Sequence, residues 1–260
     1  MDKIEENLLN NLKKFNLINK KNIVGFSGGG DSTALIIALK KIKKIIPEFY
    51  FEAIHINYGL RKESNRDEQF VKDICKKFNI KLISKNIKNE NINLQNDSEN
   101  ELRRIRYQLI SSYILESKSY CLLTGHNLND HIETFLMKLS RGVGLKGMEG
   151  INYYSVLDEY NKLKIYRPLI KVKKVDLFDY CISNNTQPME DTTNYNIRFS
   201  RNRIRSNIMP EFEKLNPDFL NTVNRLTNVV KELNNYQKKL IDKIFEKIKI
   251  KENNLKISFK

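Results

Sequence analysis

Residues 22–33, running from Asn22 through Ile23, Val24, Gly25, Phe26, Ser27, Gly28, Gly29, Gly30, Asp31 and Ser32 to Thr33, limit the fold more tightly than any other stretch. Ile23 to Phe26 reads as a short buried strand. Three glycines then turn the chain, and Asp31-Ser32-Thr33 opens an apolar run from Ala34 to Leu39 of helical length. Strand, glycine turn and helix start together make an anion site. Glycines let backbone N–H groups approach a phosphate, and the helix N-terminus adds partial positive charge. The stretch has neither the lysine of the G-x-x-x-x-G-K-[ST] loop nor the spacing of G-x-G-x-x-G. Asp31 sits awkwardly beside a phosphate, since like charges repel; a Mg²⁺ between them or a cationic second substrate resolves this. The competing reading is a glycine turn capped by Asp31 or Ser32.

Further along, strand and helix patterns alternate. Residues 5–20 form an amphipathic helix with Leu8, Leu9, Leu12 and Phe15 on one face. Strands are expected at 49–56, 80–83 and 121–124, with a further strand end at 165–169. Helices are expected at 64–78, 99–116, 129–139, 172–183, 199–213 and 218–248. The alternation predicts an α/β fold, a doubly wound parallel sheet built from right-handed crossovers, with a C-terminal helical extension. Ligands then bind beyond the carboxyl ends of the strands, where every polar motif of this chain falls. A domain boundary is expected near Asn216-Pro217, giving 1–216 as the nucleotide-binding catalytic domain and 217–260 as the extension.

Charge narrows the partners. The 260 residues carry 46 Lys and Arg against 31 Asp and Glu, a formal net charge of +15 that suits a polyanion such as nucleic acid. Abundant Lys, Asn and Ile also mark an A/T-biased genome, so part of the lysine excess is compositional drift. The 12 arginines are more telling, because four of them fall at Arg198, Arg201, Arg203 and Arg205. A planar guanidinium suits phosphates and bases in a way that lysine does not. Cys75, Cys121 and Cys181 are isolated and odd in number, as expected of buried thiols in a reducing compartment. No apolar stretch reaches membrane-spanning length, and the start resembles neither a signal nor a transit peptide.

Four further motifs carry chemistry. His55-Ile56-Asn57-Tyr58-Gly59-Leu60-Arg61 closes a strand, where its polar groups lie beside the glycine loop; a histidine there is as consistent with structure as with function. On the long helix Arg103 and Arg106 share a face and can grip phosphate together, while Arg104 points elsewhere; a solvated basic face is the alternative. In Thr124-Gly125-His126-Asn127-Leu128-Asn129-Asp130-His131-Ile132-Glu133-Thr134, Asp130 and Glu133 lie one helical turn apart. With Asp31 they make an acidic pocket for an ammonium or a metal, and His126 stands where a proton could move. A capping box from Asn129 or Asp130 to Glu133 explains the carboxylates equally well. The stretch 191–205 interleaves aromatic residues with arginines, which suits single-stranded RNA.

The loop Ser27-Gly28-Gly29-Gly30-Asp31-Ser32 resembles the pyrophosphate loop of the ATP pyrophosphatases, which cleave ATP between the α and β phosphates. Together with His55–Arg61, His126–Glu133, Arg141-Gly142-Val143-Gly144-Leu145-Lys146-Gly147, Arg167-Pro168-Leu169 and Asp191–Arg205 running into Met209-Pro210, the chain from Ile23 to Pro217 is similar to the tRNA(Ile)-lysidine synthetases. In that family ATP adenylates the C2 oxygen of the cytidine at the first anticodon position of a CAU-bearing isoleucine tRNA. Free L-lysine then displaces AMP through its ε-amino group. The resemblance implies that Ser27, Gly28, Gly29, Gly30 and Ser32 hold pyrophosphate, that Asp31 positions Mg²⁺ or lysine, and that His55 lines the adenosine pocket. It also implies phosphate contacts from Arg103 and Arg106, lysine recognition by Asp130 and Glu133, and His126 near the reacting centre. Arg198, Arg201, Arg203 and Arg205 would engage the tRNA. A cytoplasmic ligase using ATP and Mg²⁺ is expected, with a plastid or another organelle as the other compartment; no membrane is involved, and a homodimer stays open.

Two residues depart from the family pattern: Tyr58 stands where His is common, and Gly125 where Ala is common. The chain ends at Lys260, whereas many family members continue into further tRNA-gripping domains. Rejection of methionine tRNA is therefore expected from the catalytic domain and the helix from Asp218, or is relaxed. The nearest enzymatic alternative is a tRNA 2-thiolation enzyme of the same superfamily, which needs cysteines that this chain does not group. A basic RNA-binding protein with a degenerate nucleotide site is the alternative from another class.

Overall fold

A computed structural model describes residues 1–60, 64–90, 98–189 and 200–247. They fall into two compact units, Met1–His131 with Asn152–Tyr195, and Ile132–Ile151 with Asn196–Lys260. The division cuts helix α5 (Leu128–Leu139) after His131, and the expected break at Asn216-Pro217 lies inside the second unit.

The first unit is a six-stranded sheet in the order β3-β2-β1-β4-β6-β5. Its strands are β1 (Lys21–Gly25), β2 (Tyr50–Asn57), β3 (Leu82–Asn86), β4 (Cys121–Leu123), β5 (Tyr154–Leu157) and β6 (Leu163–Tyr166). All pairs are parallel except β5–β6. The expected doubly wound sheet is therefore present, with an antiparallel edge hairpin that the sequence did not announce. Side chains alternate across it with period two. Val24, Ala53 and Leu123 face the cluster built with α1 (Lys3–Lys14), α2 (Gly30–Ile45), α3 (Ser64–Lys77) and α6 (Lys174–Ser183). Ile23, Ile54 and Leu122 face the other side, where α4 (Glu99–Glu116) supplies Tyr107, Ile110 and Ile114. The chain moves outward from β1 through α2 and α3, then returns by α4 to β4 on the opposite side of β1. The order thus reverses between β1 and β4, and the turns after these two strands flank the crevice that such a reversal opens.

The second unit is helical among its described residues. Residues 200–215 run as α7 (Ser200–Arg203), one π-helical turn (Ile204–Ile208) and α8 (Met209–Leu215), and α9 spans Phe219–Lys247. Phe212 stacks on Phe219 with ring centroids 4.7 Å apart, closing the corner between α8 and α9. Leu220, Val223 and Val230 are buried, and Asn234 donates to Glu149 at 2.7 Å.

Candidate active site

The turn after β1 is shaped by its own side chains. Gly28 has φ +90°, and a Cβ there would also press on Phe70, so the position suits glycine alone. The Thr33 hydroxyl donates to the Gly28 carbonyl at 3.1 Å and Ser32 Oγ donates to the Gly29 carbonyl at 3.0 Å. Ser27 Oγ lies 3.0 Å from Ser32 Oγ, and the Met189 N–H reaches Gly28 O at 3.1 Å. These bonds consume the carbonyls of the loop. Gly29 is the N-cap of α2, and no side chain caps the helix. The N-cap position is therefore Gly29, and Asp31 and Ser32 lie in the first turn of the helix. The first N–H groups of α2 and its partial positive charge are of the kind that suits an anion.

The turn after β4 closes on the same helix start. A Cβ on Gly125 would lie 2.8–2.9 Å from the backbone of Asp31 and Ser32, so glycine permits this approach. Thr124 Oγ1 and His126 Nδ1 are 2.7 Å apart. The Asn127 side chain accepts from the Asp130 N–H at 3.0 Å, and Asp130 Oδ2 accepts from the Asn127 N–H at 3.1 Å. This reciprocal cap starts α5 at Asn127, whereas the expected register ran from Asn129 or Asp130 to Glu133. Asn129 instead accepts from the Lys174 N–H at 3.0 Å, at the start of α6. Asp31 and Asp130 thus stand just beyond neighbouring strands, each partly exposed.

His55 near the end of β2 is buried, and its Nδ1–H donates to the Phe26 carbonyl at 2.9 Å. Burial pulls its pKa below the ordinary value, against that hydrogen bond and the Glu68 charge, which keeps the ring neutral. Its visible action is to brace the strand end that feeds the glycine turn. Burial alone would raise the Glu68 pKa, yet bonds from Asn57, Lys72 and Ser84 hold it at about 2. On α4, Arg103 and Arg106 lie over the Tyr107 ring at 4.9 and 5.7 Å, while Arg104 turns away to Glu101 at 2.7 Å. The expected sharing of one face by Arg103 and Arg106 is what the helix displays.

In the second unit Glu133 is wholly buried, and its carboxylate is the centre of a cluster. Arg201 Nε donates to Oε2 at 2.8 Å, and Arg205 donates to Oε1 at 2.6 Å and to Oε2 at 3.0 Å. In sequence Glu133 reads as a lysine-pocket carboxylate and both arginines as tRNA contacts; that the three meet is visible only in the structure. Arg203 is exposed, and Arg198 lies outside the described residues, as does most of the stretch 191–205. Among the described residues no three His, Cys, Asp or Glu side chains group as a metal cage. A carboxylate such as Asp31 beside a glycine turn and helix start is of the kind that suits a Mg²⁺ held mainly by nucleotide phosphates. No described helix is long and apolar enough to cross a membrane.

A family model described as a PP-loop domain matches residues 1–212. The tRNA(Ile)-lysidine synthase of Buchnera aphidicola subsp. Schizaphis graminum is 38% identical over 81% of this chain and 45% of its own length. That of Clostridioides difficile is 32% identical over 94% of this chain and 53% of its own. That of Francisella tularensis is 32% identical over 96% and 60%. The chain therefore spans about half the length of the relatives it matches. Among solved structures, the U34-tRNA thiolase NcsA of Methanococcus maripaludis superposes with a TM-score of 0.72 at 21% identity, covering 88% of this chain and 78% of that one. This likeness concerns the fold alone.

Proposed function

The chain belongs to the PP-loop domain family, and from that premise we propose that it forms lysidine on a CAU-bearing isoleucine tRNA. The observation that carries the reading is the pairing of an uncapped, glycine-led helix start with carboxylates beyond adjacent strands, Asp31 after β1 and Asp130 after β4. A reaction with an anionic and a cationic substrate uses both halves of that arrangement. ATP would place its phosphates on the turn 27–32. Attack of the cytidine C2 oxygen on the α phosphate would release pyrophosphate and leave that oxygen adenylated. The lysine ε-amino group would then form the C2–N bond, lose a proton and displace AMP. Mg²⁺, where bound, would neutralise phosphate charge beside Asp31. Asp130 would orient the lysine ammonium, and His126, partly exposed one turn earlier, would hold or move a proton at the reacting cytidine. Identity to several lysidine synthases across most of the chain supports the same reading.

The thiolation alternative fits less well. Cys75, Cys121 and Cys181 are buried on α3, β4 and α6, and burial pushes each thiol up to about 12, so none is a ready thiolate.

The test is transfer of radiolabelled lysine to CAU-bearing isoleucine tRNA with ATP and Mg²⁺, with methionine tRNA as the control. Label in the isoleucine tRNA is expected. Folded protein that transfers none overturns the proposal. Separately, Asp130→Ala is expected to abolish transfer while sparing tRNA affinity. Normal transfer by that variant would remove Asp130 from lysine recognition.

A further inference from the structure

Arg167 immediately follows β6, beside the turn that leaves β4, where the Thr124 N–H donates to the Tyr166 carbonyl at 3.0 Å. The residue is 6% exposed, which is rare for an arginine that pairs with no carboxylate among the described residues. Nη1 donates to the Asn152 carbonyl at 2.9 Å and to Ser155 Oγ at 3.0 Å, and both acceptors are neutral. Nε is buried with no hydrogen-bond partner. Among the described residues no acidic side chain balances the charge; the charged or titratable neighbours it feels there are Tyr107 and a second cation, Arg103. Tyr107 is buried among Ile165 and Leu163 of β6 and Leu122 of β4, and the Arg103 guanidinium lies over its ring at 4.9 Å. A buried, unneutralised guanidinium costs several kcal/mol by desolvation, which an anionic partner offsets.

We propose that Arg167, with Arg103 reaching in from α4, is a binding site for a phosphate oxyanion at the carboxyl edge of the sheet. Its unused Nε–H and the Arg103 fork supply the donors, and Tyr107 keeps the Arg103 guanidinium flat and oriented. Two substrates of the proposed reaction carry that chemistry, ATP and the tRNA backbone. The site rests on the ATP-and-RNA part of that reading and is independent of lysine transfer.

ATP and an anticodon stem-loop RNA are titrated separately into the full chain, as wild type, Arg167→Gln and Arg167→Lys, with thermal melts as the fold check. Arg167→Gln is expected to lose about tenfold or more in affinity for one of the two, and Arg167→Lys to regain part of it. Loss for ATP with an unchanged RNA salt dependence assigns a nucleotide phosphate. Unchanged ATP binding, with the slope of log affinity against log salt for RNA falling by about one, assigns a backbone phosphate. A folded Arg167→Gln that binds both as the wild type does overturns the site and leaves Arg167 as a brace for residues 152–155. Should that variant fail to fold, Arg103→Ala, exposed on α4, reads the same site; unchanged binding by it overturns the proposal equally. A wild-type chain that binds both ligands and transfers no lysine would leave the site standing and remove the lysidine reading.

Discussion

Arg201 and Arg205 in the second unit close on one buried carboxylate, whereas Arg103, Arg106 and Arg167 in the first unit close on none among the described residues. Both groups look alike in a count of charges. They differ in what neutralises them. The Glu133 cluster has already met its anion, so its three side chains hold residues 200–205 to α5 within the unit and work as a scaffold. The Arg103–Arg167 group lies on an aromatic ring and on neutral acceptors among the described residues, which is why the proposed phosphate site is placed there. Arginine density therefore locates neither a fold element nor a ligand site until the carboxylates around it are known.

The sharpest way to break this contrast is Glu133→Gln. It leaves two partly buried guanidinia facing a neutral amide, and an expected loss of about 3 kcal/mol or more in urea unfolding follows from stranding charge. A triple variant, Glu133→Leu with Arg201→Met and Arg205→Met, is expected to regain most of it, because an apolar replacement removes the stranded charge. A loss below about 1 kcal/mol for Glu133→Gln would mean that the arginines are satisfied elsewhere and that the cluster is not a scaffold.

Glu52 on β2 applies the same rule inside the first unit, now with the anion surrounded. Burial alone would raise its pKa, yet bonds from Tyr113 at 2.6 Å, Lys81 at 3.0 Å, Tyr50 at 2.9 Å and Lys21 hold it at about 2. A depressed carboxylate stabilises fully above its unfolded pKa and loses that contribution as pH falls through its folded one. Stability is therefore expected to drop by up to about 3 kcal/mol between pH 4.5 and 2 through this group. Neutral His55 adds to the same trend as pH falls below about 6.5, since the unfolded chain takes the proton more readily. Glu52→Gln should flatten the acid limb of a pH-dependent urea series. An unchanged limb would show that the unfolded chain keeps the carboxylate equally charged.

What could be read in the residues was local. The strand, glycine turn and helix start lie where the pattern of 22–39 puts them, and α4 runs from Glu99 to Glu116 as its periodicity says. What could not be read was made by distance along the chain. Arg201 and Arg205 reach Glu133 across 68 and 72 residues, and no spacing rule spans such a gap. The β5–β6 hairpin was missed because Tyr154–Leu157 is short and half exposed, so its alternation is no stronger than that of a loop. Arg167 belonged to a motif of the family resemblance, but nothing in sequence gave it a role, since an arginine before a proline at a strand end looks like turn chemistry until its burial is seen. The cap of α5 slipped by two residues because Asn127 and Asn129 are equally good caps in sequence, and packing against the start of α6 chose between them.

Gly125 tests how tightly the two turns of the first unit must meet. Alanine there puts a methyl 2.8–2.9 Å from the backbone of Asp31 and Ser32, which no side-chain rotation relieves. Gly125→Ala is expected to cost about 1–3 kcal/mol in unfolding and to weaken ATP binding with it. A melt and an ATP affinity like those of the wild type would show that the two turns separate freely, and the crevice between β1 and β4 would then be less fixed than its backbone suggests.

The smallest effects separate Arg103 from its neighbour on α4. Arg104 is exposed and already engaged by both Glu101 oxygens, at 2.7 and 2.9 Å, with Gln108 at 3.3 Å. Arg103 is equally exposed and, among the described residues, meets the Tyr107 ring. Both side chains carry the same charge on adjacent residues, so long-range attraction for a polyanion is nearly identical. Arg103→Ala is expected to cost about tenfold in phosphate-ligand affinity, because a directed fork is lost. Arg104→Ala should leave that affinity and the melt close to wild type, because an exposed ion pair contributes little. Equal losses from both variants would mean that α4 attracts phosphate as a diffuse basic face. The contrast between committed and uncommitted arginines would then fail where it was drawn most finely, between two consecutive residues of one helix.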